Sequence, residues 1–213
     1  QWQQIIVLIS IVSMALCAFA AIQQTNIKRL LAYSSIGHVG YALIGLAAGT
    51  KDGITGILVY MAIYIVMTLG AFAVVLCMQR DGRMVEDIKD LSGLSRTRPG
   101  MALMMAIFMF SMAGIPPLAG FFAKIYVFMA AVEAELFTLA ILGVLTSVVG
   151  AFYYLRIVKV MYFDEATESF DTNTGRELSV IQVVAGLFTL LFFLFPSALT
   201  HLADQAVQSL MGG

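Results

Sequence analysis

Charge is scarce in this chain: 12% of its 213 residues are Asp, Glu, Lys or Arg, and the formal net charge is -1. That balance supplies neither a basic tract for nucleic acid nor an acidic tail, and it lies far from the composition of a water-soluble globular domain. Cysteine is scarcer still. Cys17 and Cys77 sit inside apolar runs and share no CxxC or Cys/His spacing of the kind that holds zinc or an iron–sulfur cluster. There are 2 histidines, and His201 falls beyond the last apolar run, which argues against haem ligation. A glycine-rich dinucleotide turn is also missing. The chain is therefore expected to do no redox chemistry of its own. It opens at Gln1 without a methionine, has no basic segment before its first apolar run and no small-residue cleavage site after it. The sequence thus predicts no secretory signal, and a chain that begins within a longer protein.

Hydrophobic residues make up 61% of the chain. They come in blocks of about 20, the length that crosses hydrocarbon as helix. The reading is an all-α integral membrane protein, one polytopic bundle of six transmembrane helices over residues 1–213. The helices fall at about 4–22, 27–49, 54–79, 100–133, 136–162 and 178–200, with inner loops at about 80–99 and 163–177. Short connections imply antiparallel neighbours, and Gly45, Gly49, Gly56, Gly70, Gly143 and Gly150 offer small faces for close helix approach in lipid.

The basic residues orient the bundle, since positively charged loops stay on the cytoplasmic or matrix side. Lys28, Arg29, Arg80, Arg83, Lys89, Arg96, Arg98, Arg156, Lys159 and Arg176 all fall on one side. The opposite connections hold Lys51, Glu133 and Glu135, and His201 and Asp204 follow in an amphipathic tail at the outer interface. Both chain ends are then outside. Of the 12 basic residues only Lys124 has no loop to live in.

The fourth span is the informative one. At about 34 residues it exceeds a straight crossing, and Gly114, Pro116, Pro117 and Gly120 interrupt it. Each proline lacks the N–H that would bond four residues back, which frees the carbonyls of Met112 and Ala113. Open backbone at that depth is tolerated only inside protein or beside a water-filled cavity, and broken helices of this kind mark ion sites in many transporters. A plain proline kink is the alternative. Lys124 lies about 10 Å further along the second half-helix, at about 1.5 Å per residue. An ionisable group there is normally turned inward and marks a proton or ion path, the competing reading being a side chain that snorkels to the outer interface. Lysine suits proton transfer because burial disfavours its ammonium while water or a carboxylate favours it.

Polar stripes mark the neighbouring spans. Ser34, His38 and Tyr41 share one face of the second, two hydroxyls and an imidazole that can pass protons or order water, although His38 reads equally as packing. Lys28 is the weaker candidate, competing with an ordinary position at the inner interface. On the third span Tyr60, Tyr64 and Thr68 form a similar stripe. On the fifth, Ser147, Tyr153 and Tyr154 are polar, the two tyrosines reading as interfacial aromatics.

Residues 24–41, QTNIKRLLAYSSIGHVGY, and 111–128, SMAGIPPLAGFFAKIYVF, resemble subunit N of respiratory complex I, nearest its alphaproteobacterial or mitochondrial-ancestor type. The mitochondrial member of that family is NADH dehydrogenase subunit 2. The likeness covers essentially the whole chain and places it on the last six of the family's fourteen helices, half of an antiporter-like fold. It implies a bacterial inner-membrane or mitochondrial inner-membrane protein that translocates protons while partner subunits, carrying FMN, iron–sulfur clusters and quinone, oxidise NADH. Cofactors in this chain would be none, and its partners would include subunit M, the small subunit K and lipids. Lys124 matches the family's functional lysine on the broken helix, and His38 a polar family position. Tyr64 stands about where sister subunits tend to have histidine. The family's glutamate and two lysines on earlier helices have no counterpart, so a complete path is not expected within these residues. A subunit of a stand-alone cation/proton antiporter and a non-transporting scaffold remain as alternatives.

Overall fold

The computed structural model describes residues 2–171 and 175–211. Among these residues, five uninterrupted helices are long and apolar enough to cross a membrane. They are α1 (Trp2–Ile22), α2 (Ile27–Ala48), α3 (Lys51–Leu76), α7 (Phe137–Phe163) and α8 (Arg176–Leu191), the last extended by a 3₁₀ turn at Phe192–Leu194. A sixth crossing is split into α5 (Pro99–Ala113) and α6 (Ala119–Glu133). Local chemistry sets several of these ends. Asn26 accepts from the Arg29 N–H and Thr50 from the Gly53 N–H, so α2 and α3 each start at a side-chain cap. Gly49, read from sequence as a packing glycine, is instead the left-handed residue that ends α2, with φ 66°.

Lipid is the solvent, so polar and small residues face inward. Along α1, Ile5, Leu8, Val12, Leu16 and Phe19 are exposed, while Ser10, Met14, Cys17 and Ala21 pack on α2. Ser10 Oγ donates to the Gly40 carbonyl at 2.7 Å. Contact between α2 and α3 is closer still: a Cβ on Gly45 would lie 2.6 Å from the Gly53 carbonyl oxygen. With little hydrophobic drive between helices in hydrocarbon, such approach and such bonds carry the packing.

The segment at about 80–99, predicted as an inner loop, is largely ordered structure. Strands β1 (Gln79–Arg80) and β2 (Arg83–Met84) form a hairpin turning through Asp81 and Gly82, both at positive φ. A 3₁₀ helix (Ile88–Leu91) and the short α4 (Leu94–Thr97) follow. This segment is stitched to the α1–α2 turn, Ile27 N–H donating to the Glu86 carbonyl and Ile88 N–H to that of Thr25, each at 2.8 Å. Arg80 pairs with Asp90 at 2.7 Å and lies over the Phe170 ring. Arg156 reaches from α7 to the carbonyls of Ile22 and Gln24, occupying acceptors that the end of α1 leaves open.

The expected sixth span at about 178–200 is corrected. Its helix begins at Arg176 and stops short of Phe195, whose φ and ψ of -137° and 46° are not helical. Pro196 has no N–H to continue the ladder and instead opens α9 (Pro196–Met211). Ala203 and Val207 of α9 face the bundle while Leu202 and Leu210 are exposed. Thr55 Oγ1 donates to Asp204 at 2.9 Å, tying α9 to the N-terminal end of α3.

Glu86 accepts from Lys28 Nζ at 2.7 Å and from Asn26 Nδ2 at 2.8 Å, and these bonds hold its carboxyl below the ordinary value of 4.5. A depressed acid stabilises this folded segment above its ordinary range, and that contribution is lost as pH falls through the depressed value. Hydrogen exchange, corrected for intrinsic rates, is expected to show protection at the Ile27 and Ile88 amides falling on acidification below about 4.5, and Glu86→Gln to remove that pH dependence.

Candidate functional site at the broken helix

α5 ends on Gly114 at φ 89°, whose N–H bonds back to Phe110 and Ser111, and Ile115 N–H also reaches Phe110 at 3.0 Å. The Pro116–Pro117 peptide is cis, and α6 starts two residues later. The carbonyls of Met112 and Ala113, deprived of partners by the two prolines, receive the Lys124 ammonium at 3.0 and 3.2 Å. Its third donor goes to Ser147 Oγ on α7 at 2.7 Å. Lys124 is 6% exposed, and its Nζ lies 5.1 Å from the centre of the Tyr41 ring, in cation–π range. The ion pairs among the described residues, Lys28–Glu86, Arg80–Asp90 and Lys159–Asp164, do not include it. Its charge is met by neutral oxygens and an aromatic face.

Close packing holds the two half-helices in this register. Gly120 N–H donates to Ser111 Oγ at 2.9 Å, and Ser111 Oγ in turn contacts Met67 Sδ on α3 at 2.9 Å. A Cβ on Gly120 would sit 2.0 Å from the Ser111 carbonyl oxygen. Beside the lysine a cleft of about 330 Å³ opens between Gly114, Phe121, Phe128, Val148 and Ser147.

A second polar cluster lies across the bundle. His38 joins Tyr60 through Nδ1 at 2.7 Å and Tyr154 through Nε2 at 3.0 Å, and the Tyr154 hydroxyl also bonds Ser34. All four side chains are buried. Tyr64 stacks on the imidazole at 4.7 Å between ring centres, and Tyr41 meets it edge-on at 6.1 Å. Tyr41 hydroxyl donates to Thr146 Oγ1 at 3.3 Å. Tyr41 thus borders both clusters, and no hydrogen bond joins Lys124 to His38 among the described residues.

Ser34 and His38 of the expected stripe meet in one network, whereas the Tyr41 hydroxyl turns to α7. Tyr64 touches the imidazole by its ring. Lys28 does not turn into the bundle; it stays at the start of α2 with Glu86, its side chain 35% exposed. Tyr154 and Tyr60 were missed as partners of His38, and Tyr154 is buried rather than interfacial. A signal for it existed: Gly143, Ser147, Gly150 and Tyr154 form the small and polar stripe of α7, opposite the exposed Val144, Val148 and Phe152. Thr68 Oγ1 is buried without a hydrogen-bond partner among the described residues. Among those residues no group of three or more His, Cys, Asp or Glu could hold a metal ion.

Membrane-length helices, one of them broken and closed by a buried lysine, define an antiporter-like polytopic membrane protein. Residues 1–150 match the family described as NADH:quinone oxidoreductase/Mrp antiporter, transmembrane, and the chain belongs to that family. It is 62% identical over 210 residues to NADH-quinone oxidoreductase subunit N of Rhodospirillum rubrum, covering 99% of this chain and 43% of the relative. To the same subunit of Azorhizobium caulinodans it is 64% identical, covering 98% of this chain and 44% of the relative. The chain therefore spans less than half the length of the curated relatives it matches. Among solved structures it resembles a chain of respiratory complex I from Thermus thermophilus, with TM-score 0.79 and 31% identity over 92% of this chain and 44% of that one. A chain of the Mrp complex from a Dietzia species shares the fold at TM-score 0.87 and 21% identity, covering 98% of this chain and 47% of that one.

Gly120→Ala is expected to destabilise the protein by about 1–3 kcal/mol, because the new methyl meets backbone that cannot yield. Gly56→Ala, whose Cβ would meet neighbours at 3.4 Å or more, should not. The thermal midpoints of the two full-length variants in detergent check the contrast.

Proposed function

We propose that this chain is the part of a proton-translocating subunit N that carries the buried lysine on the broken helix, acting within an NADH:quinone oxidoreductase of a bacterial inner membrane. The observation that carries this reading is the Lys124 ammonium, held in the bundle by two carbonyls and one hydroxyl with no carboxylate to fix its charge. An amine so placed can release a proton and keep its position, since a neutral amine still donates two hydrogen bonds.

Each group then has a part. Ser34, Tyr154, His38 and Tyr60 form a chain of hydroxyl and imidazole groups, in which His38 can accept a proton on one ring nitrogen and release one from the other. Lys124 is the loading site nearest the outer side, with Ser147 and the adjoining cleft as its outlet. Transfer between the clusters requires water, or a shift of Tyr41. Lys28 and Glu86 stand at the inner surface, outside this chain of groups. Electron transfer takes place in partner subunits holding FMN, iron–sulfur clusters and quinone, with subunits M and K among the membrane neighbours. Coupling reaches this chain as altered packing, hydration or charge, and so as a coupling free energy between distant sites.

A cation/proton antiporter of the Mrp kind shares the fold. The high identity to proteins named subunit N favours complex I, and the partners that co-purify separate the two: NADH-oxidising subunits in one case, only membrane subunits in the other.

The test is proton pumping per NADH oxidised by the assembled complex in liposomes. Lys124→Met is expected to lower pumping by about tenfold or more, within the range for loss of an acid–base group. Lys124→Arg keeps donors for the Met112 and Ala113 carbonyls but does not give up its proton, and it should fail as well. Pumping retained by the arginine variant would reduce Lys124 to a cap on the helix break.

A further inference from the structure

At the inner surface, far along α5 from its break, a cleft of about 470 Å³ opens between the start of α5 and α8. It falls in the size range of small-ligand sites. Thr97, Arg98 and Gly100 form its rim, while Met101, Met104 and Val183 form an apolar wall. We propose that this cleft binds the headgroup of an anionic, hydroxyl-bearing phospholipid from the inner leaflet.

Four observations on different parts of the cleft carry the assignment. The rim is cationic, since the Arg98 guanidinium is anchored there by a bond to the Asp171 carbonyl. The first turn of α5 has no side-chain cap, so the amides after Pro99 are available to an anion. Nothing lies within 4 Å of a Cβ built on Gly100, which leaves the approach to those amides open. Deeper in, Gln182 is 8% exposed; its side-chain nitrogen donates to the Ala73 carbonyl at 3.0 Å and to Cys77 Sγ at 3.2 Å. Its side-chain oxygen accepts no hydrogen bond among the described residues, and a headgroup hydroxyl entering the cleft can donate to it.

The setting selects a lipid over a soluble anion. The cleft is at the basic end of the bundle, where anionic lipid concentrates against Lys and Arg, and basic pockets between membrane helices suit anionic headgroups. Its apolar wall opens toward hydrocarbon at Val183, which is itself 48% exposed. Phosphate on Arg98 and the amides, a hydroxyl on Gln182 and an acyl chain along Met104 and Val183 use each surface for its own chemistry.

The probe is phosphatidylglycerol carrying a photoreactive group, incorporated into phosphatidylcholine vesicles with the full-length subunit in its assembled complex. Labelled peptides are then located by mass spectrometry. Labelling is expected in the segments around 97–104 and 179–183, at least fivefold above that by a photoreactive phosphatidylcholine. Arg98→Gln should lower it severalfold. Gly100→Trp, which fills the cleft and leaves the Arg98 anchor in place, should lower it as far. Equal labelling by the two lipids, labelling unchanged in the Gly100→Trp variant, or loss of labelling to millimolar inorganic phosphate would each overturn the proposal, the last by making this a phosphate site.

Discussion

Hydrocarbon offers no hydrogen bonds, and the structure around α5 and α6 depends on that constraint. Two adjacent prolines strip partners from the carbonyls of Met112 and Ala113, which in lipid would cost several kcal/mol each. A single side chain, Lys124, answers both. Its position is specified in turn by the contact of Gly120 with Ser111, by Ser111 against Met67 of α3 and by Ser147 of α7. Polar group and broken backbone are mutually required: without the lysine the break exposes carbonyls, and without the break the lysine has no acceptors.

His38 shows the same rule in an imidazole. Its two ring nitrogens find hydroxyls on α3 and α7, so one imidazole fixes the rotation of three helices about a common point. The exposed side of α1 supplies nothing to this arrangement except shape. Its inner face contributes Ser10 and Cys17, small enough for the backbone of α2 to come close at Gly37 and Gly40. Polar satisfaction and small residues thus do in lipid what apolar burial does in water.

The parts of the site that were legible in sequence follow from local chemistry. Proline removes a donor wherever it stands, so the freed carbonyls of Met112 and Ala113 could be named in advance; helical spacing put Ser34 beside His38. The partner of Lys28 could not be read, because Glu86 comes from a segment that only the fold brings to α2. Tyr154 was hidden by its place near the end of α7, which suggests an interface until its partners Ser34 and His38 on α2 are known. Pro196 was visible as a residue, but the unbroken run of apolar side chains around it read as continuous helix. Hydropathy reports depth in lipid and says little about where backbone geometry changes.

Tyr41 has one further consequence for the proposed function. Its ring meets both Lys124 and His38, while its hydroxyl is engaged by Thr146, so it offers neither of them a hydrogen bond. A membrane that stores energy as a proton gradient is discharged by any wire that conducts at all times. On the proposed function, the aromatic spacer between the clusters would act against such leakage, because a proton would cross only with water between them or a shift of Tyr41.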